Sequence, residues 1–379
     1  MIVPFLYRRK LMIIIAPDSF KGTMSAIEVC ETVKGEFLKI APDADIRCLP
    51  IADGGEGTVD ALLFNGGEKV SVTVKDPYFN DIESFYGILP DGTAVIEMAA
   101  ASGLPLVGEN KNPLLTTTYG TGQLIAAALD RGCKDILIGI GGSATNDGGI
   151  GCAAALGASF SDSDGNEVSL NGAGLVNIRK IDLSGLDKRL LSVKIKVLCD
   201  VTSPLYGVEG AAYVFAPQKG ADEETVKILD DGLRNLAEVT KESTGTDNAS
   251  LNGAGAAGGL GFALVSFLGG ELVKGAPAVL KVMGFDALVK DADLVITGEG
   301  SFDEQSLLGK APSCVAELSG DKEVIVVAGR CGIDLPEDSA IKKVYVVDKE
   351  GKPFDEIKKN CFEDLAKTAE IMAKDYLQK

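Results

Sequence analysis

Continuous apolar runs of strand length, each followed by a polar loop, occur at both ends of the chain. Such runs are typical of strands that are buried on both faces of a parallel sheet. After the first run, Ser25 and Glu28 form a capping-box pattern, which predicts that a helix follows. Strand, loop and helix in repetition indicate a parallel α/β sheet. The runs are LMIIIA (11–16), IRCLPIA (46–52), LVITGEG (294–300), EVIVVAG (323–329) and KVYVVD (343–348).

The middle of the chain has a different pattern. Residues 70–74 and 83–98 alternate between apolar and polar positions, and PDGT (90–93), within the second segment, reads as a hairpin turn. Alternation of this kind predicts strands with one buried face, paired in an antiparallel or mixed sheet. A later segment, 222–241, has helical spacing with acids in its first turn, where the helix dipole favours them.

This change of pattern predicts an α/β protein with two domains. Residues 12–70 plus 287–379 are expected to build one parallel sheet from both chain ends. Residues 71–286 are expected to form an inserted α/β domain with a mixed sheet. Residues 1–11 precede the first strand as an N-terminal extension.

Composition narrows the classes of function. The chain has 379 residues and a net charge of −18, which makes nucleic acid and anionic membranes poor partners. It has no histidine, which excludes HExxH zinc sites and Ser-His-Asp triads. General acid–base chemistry must therefore fall to aspartate, glutamate or lysine.

Cysteine spacing and hydropathy indicate a cytoplasmic protein. The eight cysteines are scattered and contain no CxxC, which favours reduced thiols over a disulfide framework. Arg8, Arg9 and Lys10 lie between two apolar stretches, so a buried strand from Met12 is a better interpretation than a signal peptide. Glycines and charges interrupt the apolar segment 264–285, which argues against a membrane span.

The segment GIGGSATNDGG (139–149) contains five glycines among its eleven residues and has three interpretations. GIGGSA follows an apolar run and matches GxGxxA, and Asp162 lies about 20 residues on, as in a dinucleotide-binding fingerprint. A site for a transferring phosphoryl group is the second interpretation, and a tight turn that binds nothing is the third. The hydroxyl, amide and carboxylate groups within the motif suit a polar substrate or a metal-bound phosphate better than a pyrophosphate. They belong to Ser143, Thr145, Asn146 and Asp147.

Five further loops place acids or lysines among glycines after apolar strands. Ligand sites in open α/β sheets lie beyond the carboxyl ends of the strands. A single such loop is usually only a turn, but several converging loops supply the cations and carboxylates that phosphoryl transfer needs. The loops are APDSFKG with Asp18 and Lys21, ADGGEGT with Asp53, CDVTSPL with Asp200, APQKGA with Lys219, and TGEGSFDEQSLLGK with Glu299, Asp303 and Lys310.

Taken together, and in their order along the chain, the motifs resemble those of the bacterial type I glycerate kinases. The resemblance covers nearly the whole chain from about Met12. The motifs that show it include TTYGTGQLI, GIGGSATNDGG, FAPQKGA and GAGAAGGLG. It implies ATP-dependent phosphorylation of D-glycerate, usually at the 2-hydroxyl, in cytosolic carbon metabolism. It also implies two α/β domains, one of them Rossmann-like and discontinuous, with the active site between them. Ser203 and Asn252 depart from the residues that many members have at these positions.

The resemblance and the loop chemistry together give a set of expected site residues. Asp200 is the expected base, since it ends the strand KVLCD and no histidine is available. Lys21 precedes the capped helix, where helix amides already favour an anion. The catalytic candidates are Asp200, Lys21 and Asp147; the substrate- or phosphate-binding candidates are Asp18, Ser19, Asp53, Gly141, Gly142, Ser143, Thr145, Asn146, Lys219 and Lys310; the metal candidates are Glu299 and Asp303.

The expected cofactors are ATP and Mg²⁺, and the expected partners are small molecules only, with a monomer or homodimer as the assembly. Carboxylate oxygens in the absence of histidine and paired cysteine favour a hard cation. Two alternatives belong to other classes. One is an NAD-dependent 2-hydroxy acid dehydrogenase, and the other is a nucleotide-binding regulator that does not turn over.

Overall fold

The computed structural model describes residues 10–377. These residues divide into two compact units: the terminal unit, 10–52 with 276–377, and the inserted unit, Asp53–Gly275. The expected N-terminal extension lies almost wholly outside the described residues. None of the described helices is both long and apolar enough to span a membrane.

Thirteen strands form the sheets of the described chain. They are β1 (Met12–Pro17), β2 (Asp45–Cys48), β3 (Glu68–Lys75), β4 (Asp81–Ile88), β5 (Ala94–Glu97), β6 (Asp135–Gly139), β7 (Ser159–Ser161), β8 (Lys180–Asp182), β9 (Lys194–Leu198), β10 (Glu271–Val273), β11 (Leu294–Phe302), β12 (Glu323–Cys331) and β13 (Ile341–Val346).

Thirteen α-helices, several of a single turn, accompany these strands within residues 10–377. They are α1 (Ala26–Ile40), α2 (Thr58–Leu63), α3 (Ala99–Ser102), α4 (Leu104–Val107), α5 (Tyr119–Asp130), α6 (Ile150–Ala155), α7 (Ala211–Phe215), α8 (Glu223–Thr244), α9 (Ala256–Ser266), α10 (Gly275–Val282), α11 (Phe285–Leu288), α12 (Ala311–Leu318) and α13 (Phe354–Leu377).

The terminal unit contains a parallel sheet built from both chain ends. Its strand order is β13-β12-β11-β1-β2, and every neighbouring pair is parallel. The isoleucines 13–15 of β1 are fully buried, as expected for a strand covered on both faces. Ser25 and Glu28 form the predicted capping box at the start of α1. The prediction of an α/β fold with this sheet is confirmed.

The inserted unit contains the predicted mixed sheet. Its strand order is β10-β9-β6-β5-β4-β3, in which β3, β4 and β5 are antiparallel neighbours and the remaining pairs are parallel. The predicted hairpin turn joins β4 to β5, closed by a hydrogen bond from the Leu89 N–H to the Thr93 carbonyl. The parallel strands β5, β6 and β9 end at one edge, so the loops that follow them are neighbours.

The boundaries between the units differ from the predicted positions near 70 and 287. Residues 53–70 continue the strand–loop–helix repetition of the N-terminal part, which is why the sequence assigned them to that domain. In the structure, α2 packs against β4 and β5, and β3 pairs with β4, so this segment belongs to the mixed sheet. That each unit folds as an independent domain stays a prediction.

Candidate active site

The loop after β6 packs backbone to backbone against the loop that begins at Asp53. The Gly141 N–H donates a hydrogen bond to the Gly54 carbonyl at 3.0 Å. A Cβ at Gly139 would lie 2.3 Å from the same carbonyl oxygen, and a Cβ at Gly141 would lie 2.9 Å from the Cα of Gly55. Such distances admit no side chain, so these glycines are required by the contact between the two loops.

A third glycine loop, at the start of α9, packs on the other end of the same segment. The Gly148 N–H donates to the Gly258 carbonyl at 2.9 Å, and a Cβ at Gly258 would lie 2.1 Å from the Thr145 carbonyl oxygen. Ala257, Gly258 and Gly259 all have positive φ, a conformation that disfavours residues with a Cβ. Two other sequence motifs, ADGGEGT and GAGAAGGLG, therefore converge on Gly139–Gly149.

These contacts revise the interpretation of the glycines. Gly141 and Gly142 are among the residues predicted from the sequence to bind substrate or phosphate. Gly139 and Gly141 instead make room for the protein's own Asp53 loop, and no pyrophosphate fits where that loop lies. Gly142 alone of these three is exposed, and a Cβ there would lie 3.6 Å from its nearest contact, the Cβ of Ala99. It is therefore the glycine best placed to approach a ligand.

Lys219 is a buried residue that forms two hydrogen bonds to the loop after β6. Its side chain is 1% exposed, and its Nζ donates to the Ser143 Oγ at 2.7 Å and to the Thr145 carbonyl at 2.6 Å. Burial lowers the pKa of Lys219 to about 7, while the nearby Asp147 carboxylate acts in the opposite direction. The prediction placed this lysine on substrate or phosphate; its buried ammonium is bonded to its own chain instead.

Asp147 is also fully buried and joins the loop to two helices. Its Oδ2 accepts from the N–H and the hydroxyl of Thr118, and its Oδ1 accepts from the Gly149 N–H. Burial raises the pKa of this carboxyl, and the hydrogen bonds oppose that rise. A carboxylate held in this way is poorly placed to take a proton from a substrate, so the predicted catalytic role of Asp147 has no geometric support.

Thr145 and Asn146 carry buried polar atoms that lack partners. The Thr145 Oγ and both amide atoms of Asn146 make no hydrogen bond to any residue in 10–377, although both side chains are fully buried. Unpaired buried polar groups are costly, and in native proteins they call for a reason such as a ligand or a bound water. These atoms are therefore the strongest mark of a binding function in the inserted unit.

Glu97, which sequence reasoning missed, anchors the Asp53 loop. It ends β5 and is buried, and its Oε1 accepts a hydrogen bond from the Val59 N–H at 2.6 Å, with Gly57 as a further backbone donor. Burial raises its pKa, and these donors oppose the rise. The available signal was its place at the end of the apolar run AVIE, where a charged residue must find buried donors.

Asp53 and Asp200 are exposed at the same edge of the inserted sheet. The Asp53 Oδ1 accepts from the Gly55 N–H, which fixes the turn. Asp200 lies two residues beyond the end of β9, and its Oδ1 accepts from the Gly275 N–H at 2.8 Å. Asp200 is thus held in place by backbone and reachable from solvent, as a base on a small substrate must be.

The terminal unit brings together the remaining predicted residues. The Asp18 N–H donates to the Gly298 carbonyl at 2.8 Å, which joins the loop after β1 to β11. A Cβ at Gly300 would lie 3.4 Å from the backbone nitrogen of Lys21, so this loop lies directly against β11. Lys21 is exposed, and Ser19 is half-buried with its N–H bonded to the Asp18 carboxylate.

Glu299 is the buried acid of this second group. It is 8% exposed, and its Oε1 has no hydrogen-bond partner within the described chain. Burial raises its pKa most, Asp18 and Asp303 add to the rise, and Ser306 and Lys310 oppose it. Lys310 lies 3.9 Å from the Asp303 carboxylate, and both are about half exposed. The group therefore combines two exposed charges with one buried, incompletely bonded carboxylate.

Comparison with known proteins decides the family. The family model described as the glycerate kinase family matches residues 13–377. The chain is 48% identical over 329 residues to a glycerate kinase of Bacillus subtilis strain 168, covering 86% of each. The chain belongs to the glycerate kinase family. It is therefore an enzyme, a glycerate kinase, and the dehydrogenase alternative is wrong.

Two further relatives of this glycerate kinase extend the comparison. It is 48% identical over 324 residues to the glycerate 2-kinase of Escherichia coli strain K12, covering 84% of the chain and 85% of the relative. A crystal structure described as a glycerate kinase 2 from Salmonella typhimurium LT2 matches with a TM-score of 0.89 at 44% identity, covering 98% of this chain and 99% of that one. The match confirms the fold over nearly its full length.

A magnesium site in this glycerate kinase would have only one or two carboxylate ligands from the protein. No cluster of three or more acids, cysteines or histidines positioned for a metal exists within residues 10–377. Magnesium is usually bound by one or two carboxylates together with phosphate oxygens and water, so a three-residue cluster is not required. The unpartnered Oε1 of Glu299 and the nearby Asp303 fit such a site.

Proposed function

We propose that the enzyme transfers a phosphoryl group from ATP to the 2-hydroxyl of D-glycerate and releases 2-phosphoglycerate. The name of the Escherichia coli relative, glycerate 2-kinase, supports this position of transfer. The absence of histidine from the sequence is compatible with it, since phosphoryl transfer relies on positioning and charge neutralisation more than on covalent chemistry.

The observation that carries the proposal is the set of unpaired polar atoms on Thr145 and Asn146. A hydroxy acid offers hydroxyl and carboxylate groups that would satisfy a hydroxyl and an amide at once. Gly142, exposed two residues before Ala144, would let the acid approach the backbone closely. Ser143 and Gly141 would shape this site, and Asp53 lies on the adjoining loop.

Asp200 is the proposed base for the substrate hydroxyl. Its carboxylate is exposed, and the hydrogen bond from the Gly275 N–H holds it in place, where it can accept a proton or orient the acceptor hydroxyl. Asp147 is the weaker candidate because both its oxygens are already bonded inside the protein.

The terminal unit is proposed to bind the phosphates and the metal. Glu299 and Asp303 would hold Mg²⁺, which neutralises charge on the phosphoryl group when it is bound. Lys21 and Lys310 are exposed cations of the same group and would contact phosphate oxygens. Asp18 and Ser19 lie on the loop next to Glu299 and would complete this site.

Three expectations from the sequence remain open. The location of the active site between the two domains stays a prediction, as does the assembly as monomer or homodimer. A cytoplasmic location is proposed from the reduced thiols: all eight cysteines, which lie within the described residues, are free.

Release of ADP with D-glycerate as the acceptor tests the proposal. The enzyme is expected to release ADP only when D-glycerate, ATP and Mg²⁺ are all present, and to lose this activity in excess EDTA. ATP binding without ADP release would identify a regulator instead. Full activity in EDTA would rule out the metal.

A further inference from the structure

We propose that Lys219 is a positioning residue that sets the shape of the substrate-binding loop through Ser143 and Thr145, without touching substrate itself. The proposal rests on the proposed function, because it takes the loop after β6 as the D-glycerate site. It departs from the sequence prediction, which placed Lys219 in direct contact with a ligand.

The side chain of Lys219 is enclosed by the protein and is bonded to its own chain. Its side chain is 1% exposed, and its Nζ donates to the Ser143 Oγ at 2.7 Å and the Thr145 carbonyl at 2.6 Å. Those two acceptors lie on either side of Ala144, so one ammonium group fixes three consecutive residues of the loop. The Ala144 carbonyl is held separately, by the Thr116 hydroxyl at 3.0 Å.

The bond from Lys219 affects the placement of the unpaired polar atoms on Thr145 and Asn146. Because the Thr145 carbonyl is bonded to Lys219, the backbone at this residue is held in one orientation, and that orientation sets where the Thr145 side chain begins. The next side chain, Asn146, is then held in the buried position at which both its amide atoms are unbonded within the described chain. Without the bond to Lys219 this placement is lost, and the proposed binding geometry is lost with it.

The charge of Lys219 has a defined counterpart. Asp147 is the acid whose charge acts on this ammonium, and its own oxygens are taken by Thr118, Gly149 and Gly151. Both groups are bonded within the same loop, Lys219 at Ser143 and Thr145 and Asp147 at Gly149. Replacing Lys219 removes the anchor without removing any group that the proposed substrate contacts.

The experiment measures D-glycerate binding by calorimetry and amide hydrogen exchange of residues 141–148 in full-length protein. The variants are Lys219→Met, which keeps the length of the side chain, and Ser143→Ala, which removes one acceptor. Lys227→Met is the control, since Lys227 is an exposed lysine of α8 in the same unit. Neither measurement uses ATP, so a failure of the proposed product or cofactor leaves the test intact.

Lys219→Met is expected to weaken D-glycerate binding at least tenfold and to speed exchange in 141–148, with the terminal unit unchanged. Ser143→Ala is expected to change both in the same direction by less. The double variant is expected to be no worse than Lys219→Met alone, since residues that act through one contact are not additive. Lys227→Met is expected to match wild type.

Wild-type affinity and exchange in folded Lys219→Met would overturn the proposal, as would full additivity in the double variant. If Lys219→Met does not fold, Ser143→Ala decides: unchanged exchange and affinity overturn the proposal. If wild type itself does not bind D-glycerate, the proposed substrate site fails, while the exchange data still report whether Lys219 fixes the loop.

Discussion

The Nζ of Lys219 lies 2.7 Å from the Oγ of Ser143, across 76 residues of sequence. This bond ties the segment after α7 to the loop after β6, next to the residues that the proposal assigns to substrate. The residues that shape the site are therefore distinct from those that contact the ligand, and substitutions should separate the two roles.

Substitution of Thr145 by valine tests the substrate contact. Thr145→Val removes an unpaired buried hydroxyl and keeps the shape, so the unliganded protein should be as stable or up to about 1 kcal/mol more stable. D-glycerate binding should weaken at least tenfold. Urea unfolding and calorimetry measure the two effects.

Thr240→Val provides the matched control for that substitution. The Thr240 hydroxyl is buried but donates to the Leu236 carbonyl within α8 at 2.7 Å. Its loss should leave binding unchanged and should not raise stability. Equal binding by Thr145→Val and wild type would remove Thr145 from the site.

The contact between the two glycine loops should tolerate no side chain. In Gly139→Ala, the new Cβ would meet the Gly54 carbonyl oxygen at 2.3 Å, so the loops must separate. Overpacking of this kind costs about 1–3 kcal/mol, and kcat should fall with it. Gly35→Ala is the control, because a Cβ there meets nothing within 4 Å. Wild-type stability in Gly139→Ala would contradict the packing account.

The burial of Lys219 predicts how stability depends on pH. Its pKa in the folded protein is about 7, below the roughly 10.4 of an unfolded chain. Between these values the unfolded state binds more protons, so the free energy of unfolding rises with pH, by at most about 1.4 kcal/mol per unit from this group. The stability penalty of the charged form is therefore greatest below pH 7 and disappears as pH rises.

Urea unfolding of wild type and Lys219→Met checks this dependence. The stability of wild type relative to Lys219→Met should rise between about pH 7 and pH 9, the window in which only the unfolded lysine stays largely protonated. A difference that stays constant over this range would mean that the ammonium is not held in a buried environment.

The role of Asp200 is tested by kcat. Asp200→Asn keeps an oxygen that can accept from the Gly275 N–H but removes the basic carboxylate, so kcat should fall about 10²–10³-fold with little change in ATP affinity. Asp231→Asn, at an exposed position of α8, is the control. Wild-type kcat in Asp200→Asn would direct attention to Asp53, the other exposed acid at this edge.

The two sheets were predictable from the sequence because burial on one or both faces of a strand sets a direct residue pattern. The apolar isoleucines of β1 indicate the parallel sheet, and the alternation in β3 and β4 indicates the mixed one. The two compact units divide at Asp53 and not near 70, a position that the local pattern could not give because α2 would follow a strand in the same way in either unit. Only its packing against β4 and β5 assigns it.

The site was harder to predict from the sequence, because no local sequence pattern indicates that a charged residue is buried. Lys219 and Asp147 stand among glycines and polar residues, as exposed site residues would, yet both are buried and bonded to their own chain. Glu97 was missed for the same reason. Glycines predicted to face a ligand, such as Gly141, instead face another glycine loop, a contact between distant segments that no short motif encodes.

The phosphorus NMR spectrum of the product tests the central claim most directly. The enzyme is incubated with D-glycerate, ATP and Mg²⁺, and the proton-coupled spectrum of the new phosphate ester is recorded. Transfer to the 2-hydroxyl predicts a doublet, because the phosphorus then couples to the single proton on the secondary carbon. A triplet, from the two protons of a primary carbon, would show transfer to the 3-hydroxyl, and the absence of any new ester would contradict the proposed reaction.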